Sequence, residues 1–268
     1  MTQFSKFARL IAAGATLLCA SSLSTTARAQ TDEIQVYTAA IAPVGTFNLT
    51  WHNNYVADGL ADQPFPGGVS ANHSFNGVTE WAYGVAPWFE AGLYMPLYSH
   101  DDRLGWGYNG FKLRTLFVVP HADDRTFVYG VNFEFSTNAN RWDDRRFTQE
   151  TRPIIGWHLK PVDIIINPIL DTKYQGGIKG LDFVPAARVD YNFSPVWAVA
   201  AEEYDDFGTL GDIAPVAAQV HQLFAVVDHT IGTFDVEAGA GFALTNATDK
   251  LTFKLILSRD LYNFRSKK

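Results

Sequence analysis

The tripeptide Asp-Asp-Arg occurs three times, at 101–103, 123–125 and 143–145, and His100 and His121 lie close to the first two copies. Carboxylates beside an imidazole are donors for a divalent cation, but an oxygen-rich site needs about 6–8 ligands. The copies start 22 and 20 residues apart (123 − 101 and 143 − 123). That interval is one strand plus one connection, which sends successive copies to opposite rims of a sheet. Aspartate is also an ordinary turn former, so no metal site is expected. Asn72-His73-Ser74 holds the residue types of a nucleophile and its base. Neighbours on a strand point to opposite faces, however, and His73 cannot serve Ser74. Ser99 and Ser258 have no evident histidine partner. No catalytic residue and no cofactor are therefore expected, and the chain does not read as an enzyme.

The polar residues of the alternating segments carry more. Lys112, Arg114, Asn132, Glu134, Glu150, Arg152, Asn167, Asp171, Arg188, Asp190, Glu203, Glu237 and Lys254 are read as projecting to one common side. In TFVYGVNFEF, residues 126–135, Phe127, Tyr129, Val131, Phe133 and Phe135 alternate with Val128, Gly130, Asn132 and Glu134. In a water-soluble sheet the large apolar set would face a core. In a barrel spanning a bilayer it faces lipid, and the polar set faces the lumen. Such a lining either sets the selectivity of a pore or pairs with itself and plugs the barrel.

The elements that position these residues repeat one pattern. Alternating segments are expected near 45–56, 72–85, 88–98, 110–120, 126–137, 147–159, 162–173, 181–192, 196–205, 218–229, 233–245 and 250–261. Short turns at 86–87, 120–125, 160–161, 193–195 and 230–233 alternate with long polar stretches at 57–71, 99–109, 137–146, 174–180 and 206–217. Short connections on one rim and long ones on the other mark an outer-membrane barrel. The 20 Phe, 11 Tyr and 7 Trp suit its aromatic girdles. The expected fold is all-β: a transmembrane antiparallel up-and-down β-barrel of about 12 strands, with short periplasmic turns and long extracellular loops. A soluble sandwich or jelly roll shares the alternation but does not predict the alternating connection lengths. Across the Pro120 turn, pairing Val119 with Phe127 would set Lys112 opposite Glu134 and Arg114 opposite Asn132. A turn at Lys160-Pro161 would set Glu150 opposite Asp171, with Arg152 on the same face.

Residues 1–29 combine Lys6 and Arg9, an apolar run from Leu10 to Ala20, and Ala27-Arg28-Ala29. This reads as a cleaved secretory signal peptide, too short in its apolar run for a membrane anchor. Cleavage would remove Cys19, the only cysteine, leaving no disulfide framework. The signal holds three of 21 basic and none of 28 acidic residues, so the remainder carries 18 − 28 = −10. That balance argues against a nucleic-acid partner. Residues 30–44 read as a short periplasmic lead, 45–262 as the barrel and 263–268 as a basic tail. The expected location is the outer membrane, with its lipids, lipopolysaccharide and the barrel-assembly machinery as partners.

The stretch EWAYGVAPWFEAGLYMPLYS, Glu80 to Ser99, resembles a strand-turn-strand of the bacterial outer-membrane barrels named after the meta-pathway of phenol degradation. Tyr83-Gly84, the Ala86-Pro87 turn and Glu90 to Gly92 carry the likeness. The resemblance implies a porin-like barrel and the uptake or diffusion of small organic molecules. Outer-membrane barrels commonly end on an aromatic residue, whereas Phe264 here is followed by Arg-Ser-Lys-Lys. Three functional readings follow: a narrow passive channel for small solutes or hydrophobic organic molecules, a non-conducting structural or adhesive barrel acting through its loops, and a membrane-embedded lipid hydrolase.

Overall fold

The computed structural model describes residues 32–261; the expected signal peptide and basic tail lie outside them. Twelve strands close into one antiparallel ring. They are β1 (Phe47–Asp58), β2 (Phe75–Ala86), β3 (Phe89–Asp101), β4 (Gly105–Val118), β5 (Phe127–Asn138), β6 (Phe147–His158), β7 (Val162–Asn167), β10 (Ala186–Ser194), β11 (Trp197–Asp206), β14 (Val220–Ile231), β15 (Phe234–Ala243) and β16 (Leu251–Leu261). Closure is made by β1, which pairs with β2 (Trp51 opposite Thr79) and with β16 (Trp51 opposite Leu257). A closed ladder leaves no edge unpaired, the condition for crossing hydrocarbon with strands.

Four short strands, β8 (Leu170–Thr172), β9 (Asp182–Phe183), β12 (Gly208–Thr209) and β13 (Asp212–Ile213), extend the wall beyond one rim. The expected strands 162–173 and 181–192 are each interrupted, at Pro168 and at Pro185. Proline has no amide hydrogen to give the ladder, so pairing lapses there. It resumes at β8, where Glu150 stands opposite Asp171 as the turn at Lys160-Pro161 predicts.

Two details depart from expectation. The stretch 99–109 is not a long loop: Ser99 pairs with Gly107 and Asp101 with Gly105, leaving a turn at 102–104. The Asp101 carboxylate accepts from the Leu104 amide (2.5 Å), and Gly105 adopts φ 64°, which together close it tightly. The hairpin β4–β5 is shifted by two residues, with Arg114 opposite Glu134 and Lys112 opposite Ser136. A 3₁₀ turn at Ala122–Asp124 takes up chain that the shorter turn would have given to the ladder. A two-residue shift preserves the faces.

The faces divide as expected for a membrane barrel. Phe127, Tyr129 and Phe135 are about half exposed, whereas Val128, Asn132 and Glu134 are buried. Residues 32–44 do not hang below the barrel on its short-turn side but run up inside it. Ile34, Val36, Tyr37 and Ala39 are all buried there. The lead enters beside Gly84, where the Gly45 amide donates to the Gly84 carbonyl (2.7 Å).

Leu113 sits on the outer face of β4 with half its surface exposed. Replacing it by arginine in a lipid-reconstituted barrel is expected to cost about 2–4 kcal/mol if the site lies near the bilayer centre. Denaturant unfolding in vesicles reads this, and Leu113→Ile is expected to stay within about 1.5 kcal/mol.

Candidate functional site: an occupied barrel lumen

A chain segment inside a barrel brings peptide groups that need partners once water is excluded. The wall supplies them from all round the ring. The Asn167 side chain accepts from the Tyr37 amide (2.7 Å) and donates to the Tyr37 carbonyl (3.0 Å). Arg152 donates to the Gln35 carbonyl (2.8 Å), Lys254 to the Ile34 carbonyl (3.2 Å) and Asn54 to the Asp32 carbonyl (3.0 Å). Near the point of entry the Ala42 amide donates to Glu90 (2.5 Å).

Two charge networks surround the lead: its side chains Asp32 and Tyr37 join the first, and the second meets it only at the Ile34 carbonyl. In the first, Lys112 meets Asp32 (2.9 Å) and Glu134 (3.5 Å), and the Tyr37 hydroxyl donates to Glu134 (3.0 Å). Asn132 also donates to Glu134 (2.9 Å), and Arg152 pairs with Glu150 (2.6 Å) while its guanidinium stacks 4.3 Å from the Tyr37 ring centre. Arg114 joins Glu80 (2.8 Å) to Glu90, and His52 approaches Glu80 (3.3 Å). In the second, Arg188 is ringed by Asp190 (2.5 Å), Glu202, Asp228 and Glu237 (2.9 Å). Lys254 bridges Glu202 and Glu237 (2.5 Å). Replacing one partner of such a buried pair strands the other, which costs more than the pair contributes.

Of the residues expected to line the lumen, Lys112, Arg114, Asn132, Glu134, Glu150, Arg152, Arg188, Asp190, Glu237 and Lys254 belong to these networks, and Asn167 holds the Tyr37 main chain. Asp171 borders the cavity above them. Glu203 does not face inward: it pairs with the exposed Leu223, and the lumen residue of β11 is Glu202, which is fully buried. Trp197 and Val199, both exposed, set that phase one residue away from the expected one. Glu203 instead lies with Asp205 and His221, their ligand atoms within 4.8 Å of one another. Sequence reading also passed over His52, Glu80, Glu90, Tyr94 and Asp228. The polar phase of their strands marks the first two.

The residues of the Glu80–Ser99 stretch bear on the lead directly. A Cβ on Gly84 would stand 2.3 Å from the Ala42 carbonyl oxygen, so only glycine admits the lead there. Glu90 holds the Ala42 amide, and a Cβ on Gly92 would press within 2.9 Å of Arg114 Nε. Asn72-His73-Ser74 does not pair a nucleophile with a base: Ser74 is buried, while His73 is exposed and 3.9 Å from Asp102.

Two cavities flank the lead. On the long-loop side a vestibule of about 810 Å³ reaches down to Asp32, Glu33, Ile34 and Gln35. On the short-turn side a cleft of about 280 Å³ reaches Thr38 and Arg188. Between them Val36 and Tyr37 pack with Leu116, Val128, Ile154 and Ile165 in an apolar septum. Glu33 lines the vestibule floor with both carboxylate oxygens unbonded among the described residues.

Ring closure, the outward apolar belt and the polar interior define a transmembrane β-barrel of the outer-membrane type. Solved structures agree on that fold. An outer membrane channel from Pseudomonas putida F1 superposes with TM-score 0.57 at 12% identity, over 85% of this chain and 100% of that one. The NanC porin gives 0.52 at 9% identity over 80% and 100%. The KdgM porin, solved with disordered oligogalacturonate, gives 0.51 at 7% identity over 80% and 99%. No protein-family model matches the sequence, and no curated protein matches it.

Replacing Asn167 by alanine removes both bonds to the Tyr37 main chain. Hydrogen exchange of the Tyr37 amide is expected to accelerate roughly ten-fold, the equivalent of about 1.4 kcal/mol. Asn192→Ala, which leaves the lead untouched, is expected to change nothing there.

Proposed function

We propose that this protein is a narrow passive channel of the bacterial outer membrane for small solutes, with the lead segment setting its width. The observation that carries the reading is the pair of cavities approaching the lead from opposite ends, separated only by Val36, Tyr37 and their apolar neighbours. Twelve strands stand between the roughly 8-stranded barrels that side chains fill and the 16-stranded porins that hold open water. A lumen of that size takes one extended segment and leaves a vestibule above it. The charges on the wall are then both the fastening of the lead and the lining met by a solute.

Membership of the meta-pathway group is part of this proposal. Its support is that Gly84, Glu90 and Gly92, which carry the likeness, are the residues that seat the lead and the wall residue Arg114. The charge networks favour a second reading, a barrel closed permanently by its own lead, since every cation near the lead is already paired with a wall or lead carboxylate. Lipopolysaccharide and the assembly machinery enter as partners of any such barrel.

Conductance in planar bilayers separates the readings. Discrete small openings are expected from the intact protein, and deletion of residues 32–42 is expected to enlarge them several-fold. Silence from the intact protein at all voltages, with openings only after deletion, would establish the closed barrel instead.

A further inference from the structure

The vestibule is strongly acidic. Its lining holds eleven carboxylates, Asp32, Glu33 and nine others, against the four cations Lys112, Arg145, Arg152 and Lys173. The cations are committed. Lys112 is held by Asp32 and Glu134, Arg152 by Glu150, Arg145 by Asp143 (2.8 Å) and Lys173 by Asp182 (2.8 Å). Glu33 remains outside these pairs. It is 6% exposed, and among the described residues neither of its carboxylate oxygens has a hydrogen-bond partner. Asp171 Oδ1 and Asp32 Oδ2, also on the vestibule lining, are buried and unbonded in the same way.

A carboxylate buried without donors is costly, and a cationic ligand relieves that cost by supplying both charge and donors. Two observations specify which cation. First, among the described residues the group whose ligand atoms converge tightly enough for a metal is Glu203, Asp205 and His221, which includes neither Glu33 nor Asp171. Dispersed single acceptors suit the three donors of an ammonium better than the compact oxygen shell of a metal ion. Second, the same cavity is walled by Ile34, Val56, Trp142, Ile169, Val184 and Tyr204, which offer apolar surface to a carbon chain beside the charge.

We propose that the vestibule binds small organic cations, an aliphatic ammonium with its head on Glu33 and its chain against the apolar wall. As the solute class of the channel this rests on the function proposed above; as a binding site it does not.

The test uses the purified full-length barrel in detergent micelles, titrated calorimetrically with n-butylammonium chloride, n-butanol and calcium chloride. Saturable binding of butylammonium and none of butanol are expected. Glu33→Gln, which removes no existing bond, is expected to weaken binding roughly ten-fold, and Glu33→Asp to restore part of it. Asp62→Asn makes the same charge change at an exposed position of the same cavity and is expected to weaken binding less than two-fold. Equal binding of butanol, unchanged binding in Glu33→Gln, an equal loss in Asp62→Asn, or displacement of butylammonium by lower concentrations of calcium would each overturn the proposal. Reversal potentials in a KCl gradient keep the two readings apart. A barrel that binds butylammonium through Glu33 but never conducts retains the site and loses the channel. One that conducts without Glu33-dependent binding retains the channel and loses the site.

Discussion

A polypeptide segment inside a barrel must have its peptide groups satisfied by the wall, and that requirement organises this lumen. Asn167, Arg152, Lys254, Asn54 and Glu90 come from five different strands and converge on residues 32–42. The two cations among them, Arg152 and Lys254, must themselves be compensated, because a charge that bonds only a carbonyl remains largely uncompensated in a dry interior. Glu150 therefore accompanies Arg152, and Glu202 and Glu237 accompany Lys254. The two charge networks are consequences of accommodating the lead as much as a lining for solutes.

The same constraint explains where the interior is apolar. Leu116, Val128, Ile154 and Ile165 lie on the inward phase of their strands, in positions that a water-filled pore would give to polar residues. They meet Val36 and Tyr37 and exclude water from the middle of the lumen. Above and below that septum the lining turns polar and the cavities begin. The barrel thus has three zones along its axis, all set by where one short segment lies.

Most of the barrel was legible because a strand with different solvents on its two faces must alternate with period two. TFVYGVNFEF states both solvents in ten residues. Register was less legible: the 3₁₀ turn after Pro120 moved Arg114 opposite Glu134, and no periodicity encodes a turn's appetite for residues. Glu203 was misplaced by one residue because its strand is rich in alanine, which marks neither face; Trp197 and Val199 were the stronger guide. The lead was least legible, since the brief alternation of Glu33 to Val36 is too short to set it apart from a connecting segment. Its trace was indirect, in the apolar residues on the inward phase, which required an apolar partner within the lumen.

Sidedness of the lead tests the account most directly. Gln35 borders the long-loop vestibule and Thr38 the short-turn cleft, only three residues apart in sequence. In proteoliposomes of known orientation, Gln35→Cys is expected to react with a charged, impermeant thiol reagent added on the long-loop side alone. Thr38→Cys is expected to react from the short-turn side alone. Reaction of both cysteines from the short-turn side would place the lead beneath the barrel and contradict the account.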